Sequence, residues 1–208
     1  MKIQIQFFKL SMMACAVLVL AGCAGVSKSL DADQISSLRY TDSTVTFAPD
    51  ASIWWGDGER AYAASKGLPA TESETVAKTP EAQAYLRGQI TSKMKTAMGR
   101  HLSGKLTGSR PVRTEVVVKN VRIASAAQRV LIGGSYTVQG DVNLVDARTG
   151  AIIESRPIFA SAMAGQGVVQ VIAENAFASG DPIDRVIDNF AQNYQFRLLP
   201  PSAPPETR

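Results

Sequence analysis

Cysteine occurs at only two positions, Cys15 and Cys23, and both belong to the apolar N-terminal end of the chain. Lys2 and Lys9 form a short basic region, and the run from Leu10 to Leu20, with Met12, Met13, Ala14, Val17, Leu18 and Val19, is largely apolar. Its length fits the roughly seven to fifteen residues of an export signal and falls short of the roughly twenty that span a bilayer as a permanent helix. Residues 1–22 therefore read as a signal peptide, leaving 186 residues from Cys23 to Arg208. Beyond Cys23 the chain has no thiol, so no disulfide can staple an exported domain. Whatever it folds into must be held by packing and hydrogen bonds.

The signal ends in Leu20-Ala21-Gly22-Cys23. Small residues at Ala21 and Gly22 let a peptidase bind the extended backbone, and the Cys23 thiol follows directly. This pattern resembles the lipobox of bacterial lipoproteins. The resemblance implies a diacylglycerol thioether on Cys23, cleavage before it, and palmitate or another acyl chain on the freed amine. One acyl chain binds a membrane marginally, whereas several, at about 0.8 kcal/mol per buried methylene, hold firmly. Ala24 and Gly25 come next, without the acidic residue that retains enteric lipoproteins at the inner membrane. The expected place is the cell envelope, at the outer membrane and facing the periplasm.

Charge excludes some functions. The chain carries 22 Lys and Arg against 18 Asp and Glu, and losing Lys2 and Lys9 leaves 20 against 18. A nearly neutral, scattered distribution lacks the basic stripe that neutralises phosphates, so no nucleic acid is expected as partner. One His and two Cys cannot supply a metal site that needs several such donors, and neither metal nor cofactor is expected.

The patterning predicts a tether over 23–39, one domain over 40–199, and a disordered Pro-rich tail over 200–208. Thr44 to Phe47 reads as a short strand closed by Pro49. Asp50 to Lys78 reads as an excursion, with a turn at Trp54-Trp55-Gly56-Asp57-Gly58 and a short helix around Glu59 to Ser65. Thr79-Pro80-Glu81 is a helix start: Thr caps an exposed N–H, Pro fits the first turn, and Glu suits the positive dipole end. Leu86, Ile90, Met94, Ala97, Met98 and Leu102 then share one face, and Gly104 ends the helix. In Val112 to Ile123 the apolar phase switches between Val118 and Val121, which a bulge near Asn120 reconciles. Tyr136 to Leu144 alternates, Asp146 to Gly150 turns, and Ile152 to Met163 returns as a hairpin partner. Asp181-Pro182 starts a second helix with Ile183, Val186, Ile187, Phe190 and Tyr194 inward. Gln166 to Ala178 fits either strand or helix. The order strand, helix, three strands, helix predicts a two-layer α+β fold, its antiparallel or mixed sheet carrying both main helices on one face.

Trp54-Trp55-Gly56-Asp57, Gly134-Ser135-Tyr136-Thr137-Val138 and Val145-Asp146-Ala147-Arg148-Thr149-Gly150 carry a resemblance over roughly Tyr40 to Leu199 to uncharacterised proteobacterial lipoproteins of domain-of-unknown-function families. It implies no catalytic residues. The residues themselves agree: His101 is the one ordinary base, no Gly-x-Ser-x-Gly elbow is present, and Gly133-Gly134 lacks the spacing of a phosphate loop. Asp57, Glu59, Glu115, Asp141 and Asp146 are carboxylates without a pairing pattern. Trp54, Trp55 and Asp57 are the contact candidates, because adjacent indoles on an extended segment point to opposite sides. The expectation is a non-enzymatic, lipid-anchored envelope module that binds a protein partner; the alternative is a glycan- or lipid-binding lipoprotein with an aromatic patch at Trp54 and Trp55.

Overall fold

The computed structural model describes residues 30–126, 128–129, 135–163 and 181–199. In chain order these form α1 (Ala32–Ser37), β1 (Leu38–Trp55), α2 (Gly56–Ser65), a 3-10 turn (Ala70–Glu72), α3 (Ser73–Val76), α4 (Pro80–Leu102), β2 (Arg110–Ile123), β3 (Ser135–Asp146), β4 (Ile152–Met163) and α5 (Pro182–Leu198). The expected Gly133-Gly134 loop, the open segment Gln166 to Ala178 and the Pro-rich tail lie outside the described residues, as does Cys23.

The sheet runs in the order β1-β2-β3-β4. β1 and β2 are parallel, and the other two pairs are antiparallel, so the sheet is mixed. The fold is α+β as the element order predicts. Both helices start as read: Thr79 caps α4 and Asp181 caps α5 through their side chains, each followed by proline. Leu86, Ile90, Met94 and Met98 of α4 and Ile183, Val186, Phe190 and Tyr194 of α5 join Val116, Val118, Val138, Val142, Ile158 and Ala160 in one buried cluster. One sheet face thus carries both helices. The phase switch in β2 is a break in register between Val118 and Asn120, the predicted bulge.

Three expectations are corrected. β1 is 18 residues long and does not close at Pro49. Proline is tolerated because β1 is an edge strand and Pro49 falls in the register break between Phe47 and Ser52, where no ladder N–H is required. Trp54 and Trp55 consequently end this strand, where a turn was expected. Order also begins earlier than the tether reading allows. Asp31 and Gln34 form a reciprocal cap on α1, Leu30 and Ile35 pack against the core, and Leu38 is buried. Small polar residues hid a six-residue helix there, because a capping box needs no apolar periodicity.

Between β3 and β4, Asp146 ties the predicted turn. Its Oδ1 accepts the N–H groups of Arg148 and Thr149, each at 3.0 Å, and its Oδ2 accepts Arg110 Nε at 2.9 Å. The Arg110 guanidinium, with those backbone donors, holds this carboxyl at about 2. Gly150 supplies the positive φ, 75°, that closes the loop.

Candidate functional site

Residues 54–58 occupy the junction between β1 and α2, beside the end of β2. Alternation along β1 sends the two indoles apart. Trp55, 5 % exposed, enters the core cluster, its ring 6.0 Å from Lys93 Nζ. Its indole N–H has no partner among the described residues. Trp54 pairs in register with Arg122 on the helix-free face and stays half-exposed, with the Arg122 guanidinium 5.3 Å from its ring centroid.

The glycines around them answer to close approach. A Cβ on Gly58 would come within 2.4 Å of the Trp55 ring, and one on Gly56 within 2.7 Å of the Ser125 Cβ. Helix α2 can therefore begin directly beneath Trp55, whose backbone N–H donates to Glu59 Oε1 at 3.2 Å. Glu59 is buried there, and burial pushes its carboxyl above the ordinary glutamate range, opposed by that N–H. Asp57 is a brace: its carboxylate accepts the Ala126 N–H at 3.0 Å and Arg129 Nη1 at 3.3 Å. Arg129, 1 % exposed, also donates to the Ala124 carbonyl at 2.9 Å and lies 5.5 Å from the Tyr136 ring centroid.

The candidates thus divide. Trp55 and Asp57 serve the scaffold, and Trp54 faces outward. It lines a shallow open depression of about 360 Å³ with Ser52, Asn120, Val121 and Arg122. On its other side is a small polar cleft of about 130 Å³, with Glu59, Arg60, Glu74 and Gln128 among its walls.

The neighbourhood of Trp54 is best read by strand register. Trp54, Arg122, Thr137 and Ser161 form one row across the four strands, and Ser52, Asn120, Gln139 and Phe159 form the next. Phe159 is 54 % exposed. The two aromatic residues stand in successive rows on opposite edge strands, the strands being three spacings or roughly 14 Å apart. Lys119 is matched with Asp141 at 2.6 Å, and toward the far end of β2 Arg113 is matched with Glu115 at 2.8 Å. Sequence reasoning missed Arg122 and Phe159. For Arg122 the signal was available, since Val121 and Ile123 are inward and the residue between them must face out.

The remaining candidates do not converge. His101 ties α4 to α5, its Nε2 2.9 Å from Asp188 Oδ1 and its Nδ1 3.1 Å from Gln195 Oε1. Glu115 and Asp141 lie on the open face with their cations, while Asp146 sits in the β3–β4 turn. No group of three or more metal-binding side chains occurs among the described residues. No helix among them is long and apolar enough to cross a membrane.

No curated protein matches the chain. Among solved structures it is similar to a "putative lipoprotein" from Caulobacter crescentus CB15, with 16% identity over 53% of this chain and 80% of that one and a TM-score of 0.32. It is similar to a Xanthomonas campestris protein of DUF330, with 9% identity over 77% and 83% and a TM-score of 0.38. It is also similar to the PelC dodecamer protein from Paraburkholderia phytofirmans, with 10% identity over 75% and 90% and a TM-score of 0.31. Overlaps this loose transfer no function. A family model covers residues 81–206, a span that starts after the Trp54–Gly58 junction and takes in α4, β2 to β4 and α5. On that match over more than half of its length, the chain belongs to DUF6778, a family of unknown function.

Proposed function

We propose that this protein is an envelope lipoprotein, anchored through Cys23 at the outer membrane and facing the periplasm, whose domain is a non-enzymatic module that binds a protein partner through the helix-free sheet face around Trp54. The lipobox-like Leu20-Ala21-Gly22-Cys23 supports the anchor. The observation that carries the binding reading is the outward, half-exposed Trp54 with Arg122 beside it, on a face that none of the described helices covers. Tryptophan and arginine are the residue types that concentrate binding energy at protein interfaces. Among the described residues nothing around Trp54 unites a nucleophile with a base, and His101 is held between the helices.

A second reading, a glycan ligand, is favoured by the uncharged Ser52, Asn120, Gln139 and Thr137 set between Trp54 and Phe159. Amides and hydroxyls can donate and accept toward sugar hydroxyls, and the two rings offer flat apolar faces.

Photo-crosslinking side chains placed separately at Trp54, Gln139 and Gln89 in intact cells distinguish these. The expected result is one protein adduct from positions 54 and 139 and none from Gln89, an exposed position of α4. Carbohydrate-bearing adducts from 54 and 139 would select the glycan reading. Adducts absent from both, or equally strong at Gln89, would overturn the assignment of this face.

A further inference from the structure

The two edges of the sheet are finished differently. At β4, α5 reaches over the strand: Asn193 Nδ2 donates to the Phe159 carbonyl at 3.0 Å and Asn189 Nδ2 to the Ser161 carbonyl at 3.5 Å. Alternate residues of an antiparallel strand direct their main-chain groups to the same side, so these carbonyls share a phase with Pro157, which has no N–H. Side chains from α5 and a proline therefore obstruct this edge over 157–161.

Among the described residues no helix side chain bonds the main chain of β1 from Asp42 to Phe47; α4 reaches only its side chains, Lys95 to Asp42 at 3.4 Å and the Arg87 guanidinium 5.0 Å from the Phe47 ring centroid. Apart from its first residues, where Arg39 bridges Thr107, β1 pairs only with β2 among the described residues. From Asp42 to Phe47 it is a straight six-residue segment, bounded by register breaks at Tyr40/Asp42 and Phe47/Ser52. Six residues is the length of an ordinary strand pairing. Ser43 to Phe47 carry no charge, Thr44 and Thr46 are exposed, and Val45 and Phe47 are only half-buried although they point to the helix layer.

We propose that β1 pairs with β1 of a second copy of this chain, antiparallel about a two-fold axis at Val45, joining two four-stranded sheets into one. The segment is complementary to itself in this register. Within the regular segment Val45 meets Val45 of the second copy, Thr44 meets Thr46 and Ser43 meets Phe47, so β-branched residues face each other at the centre and no like charges are opposed. The edge asymmetry also selects the symmetry. A head-to-tail ring or filament would require β1 of one copy to add to β4 of the next, which the Asn189, Asn193 and Pro157 cover opposes. An isologous β1 pair uses one edge type and closes at two.

The test uses the full chain in detergent micelles, with mass measured by native mass spectrometry after release from the micelle and melting followed in parallel. The wild type should be a dimer. Thr44→Lys with Thr46→Lys places a charge at each exposed edge position and should shift the population at least tenfold toward monomer with an unchanged melting temperature. Ser161→Lys on β4 should remain dimeric. A monomeric wild type, a species larger than two chains, a dimer that survives both lysines, or dissociation by Ser161→Lys would each overturn the proposal.

Discussion

Trp54 and Trp55 are neighbours in the chain with opposite surroundings, and their substitution should separate scaffold from surface. Trp55 fills the core above Gly58, so Trp55→Ala leaves a cavity and should lower stability by about 3–5 kcal/mol, read as a lower urea midpoint. Trp54 has one guanidinium against its ring and is half-exposed. Its removal should cost no more than about 1 kcal/mol, the size of an exposed cation–π contact. Equal losses from the two variants would contradict the placement of the rings. That the indoles diverge was legible in their adjacency alone, because neighbouring side chains on a strand face opposite ways. Which one is inside was not legible, since it depends on the phase of a strand whose Pro49 marked a false end. The bracing role of Asp57 was not legible for a related reason: its partners, the Ala126 N–H and Arg129, lie about seventy residues away and no local pattern announces them.

Elements with a complete local signature were readable. In α4 and α5, a capping side chain, a first-turn proline and an apolar stripe agree, and the bulge in β2 showed itself as a phase slip. β1 was not readable in full because an edge strand has weaker requirements: it accepts proline, leaves Thr44 and Thr46 in solvent, and extends by pairing with β2 rather than by its own alternation. The α4 assignment makes a direct prediction. Ile90 is fully buried, so Ile90→Asp places an unpaired carboxylate among Leu86, Met94 and the sheet. That costs several kcal/mol against a total stability of roughly 5–15 kcal/mol, and the variant should be largely unfolded by circular dichroism. Gln89→Asp, one residue away on the exposed side, should melt close to the wild type. Similar melting of the two would show that the helix presents another face to the sheet.

At the scale of the whole molecule the proposed anchor and the domain are separate devices. Among the described residues the buried cluster is made from residues 38–198, and its partly buried surround begins at Leu30. With no thiol beyond Cys23, the domain's stability comes from this cluster and from ties such as His101 to Asp188 and Asp146 to Arg110. The proposed anchor would act on location, by the affinity of several acyl chains for a bilayer. Cys23→Ser should therefore change where the protein is found without changing how it folds. The hydroxyl cannot form the thioether, so metabolic labelling with palmitate should disappear and the chain should accumulate unprocessed or free of the membrane fraction. The melting temperature of the domain should stay within a few degrees of the wild type. Continued palmitate incorporation by the Cys23→Ser protein would refute the lipobox reading, and a large drop in melting temperature would show instead that the N-terminal segment contributes to the fold.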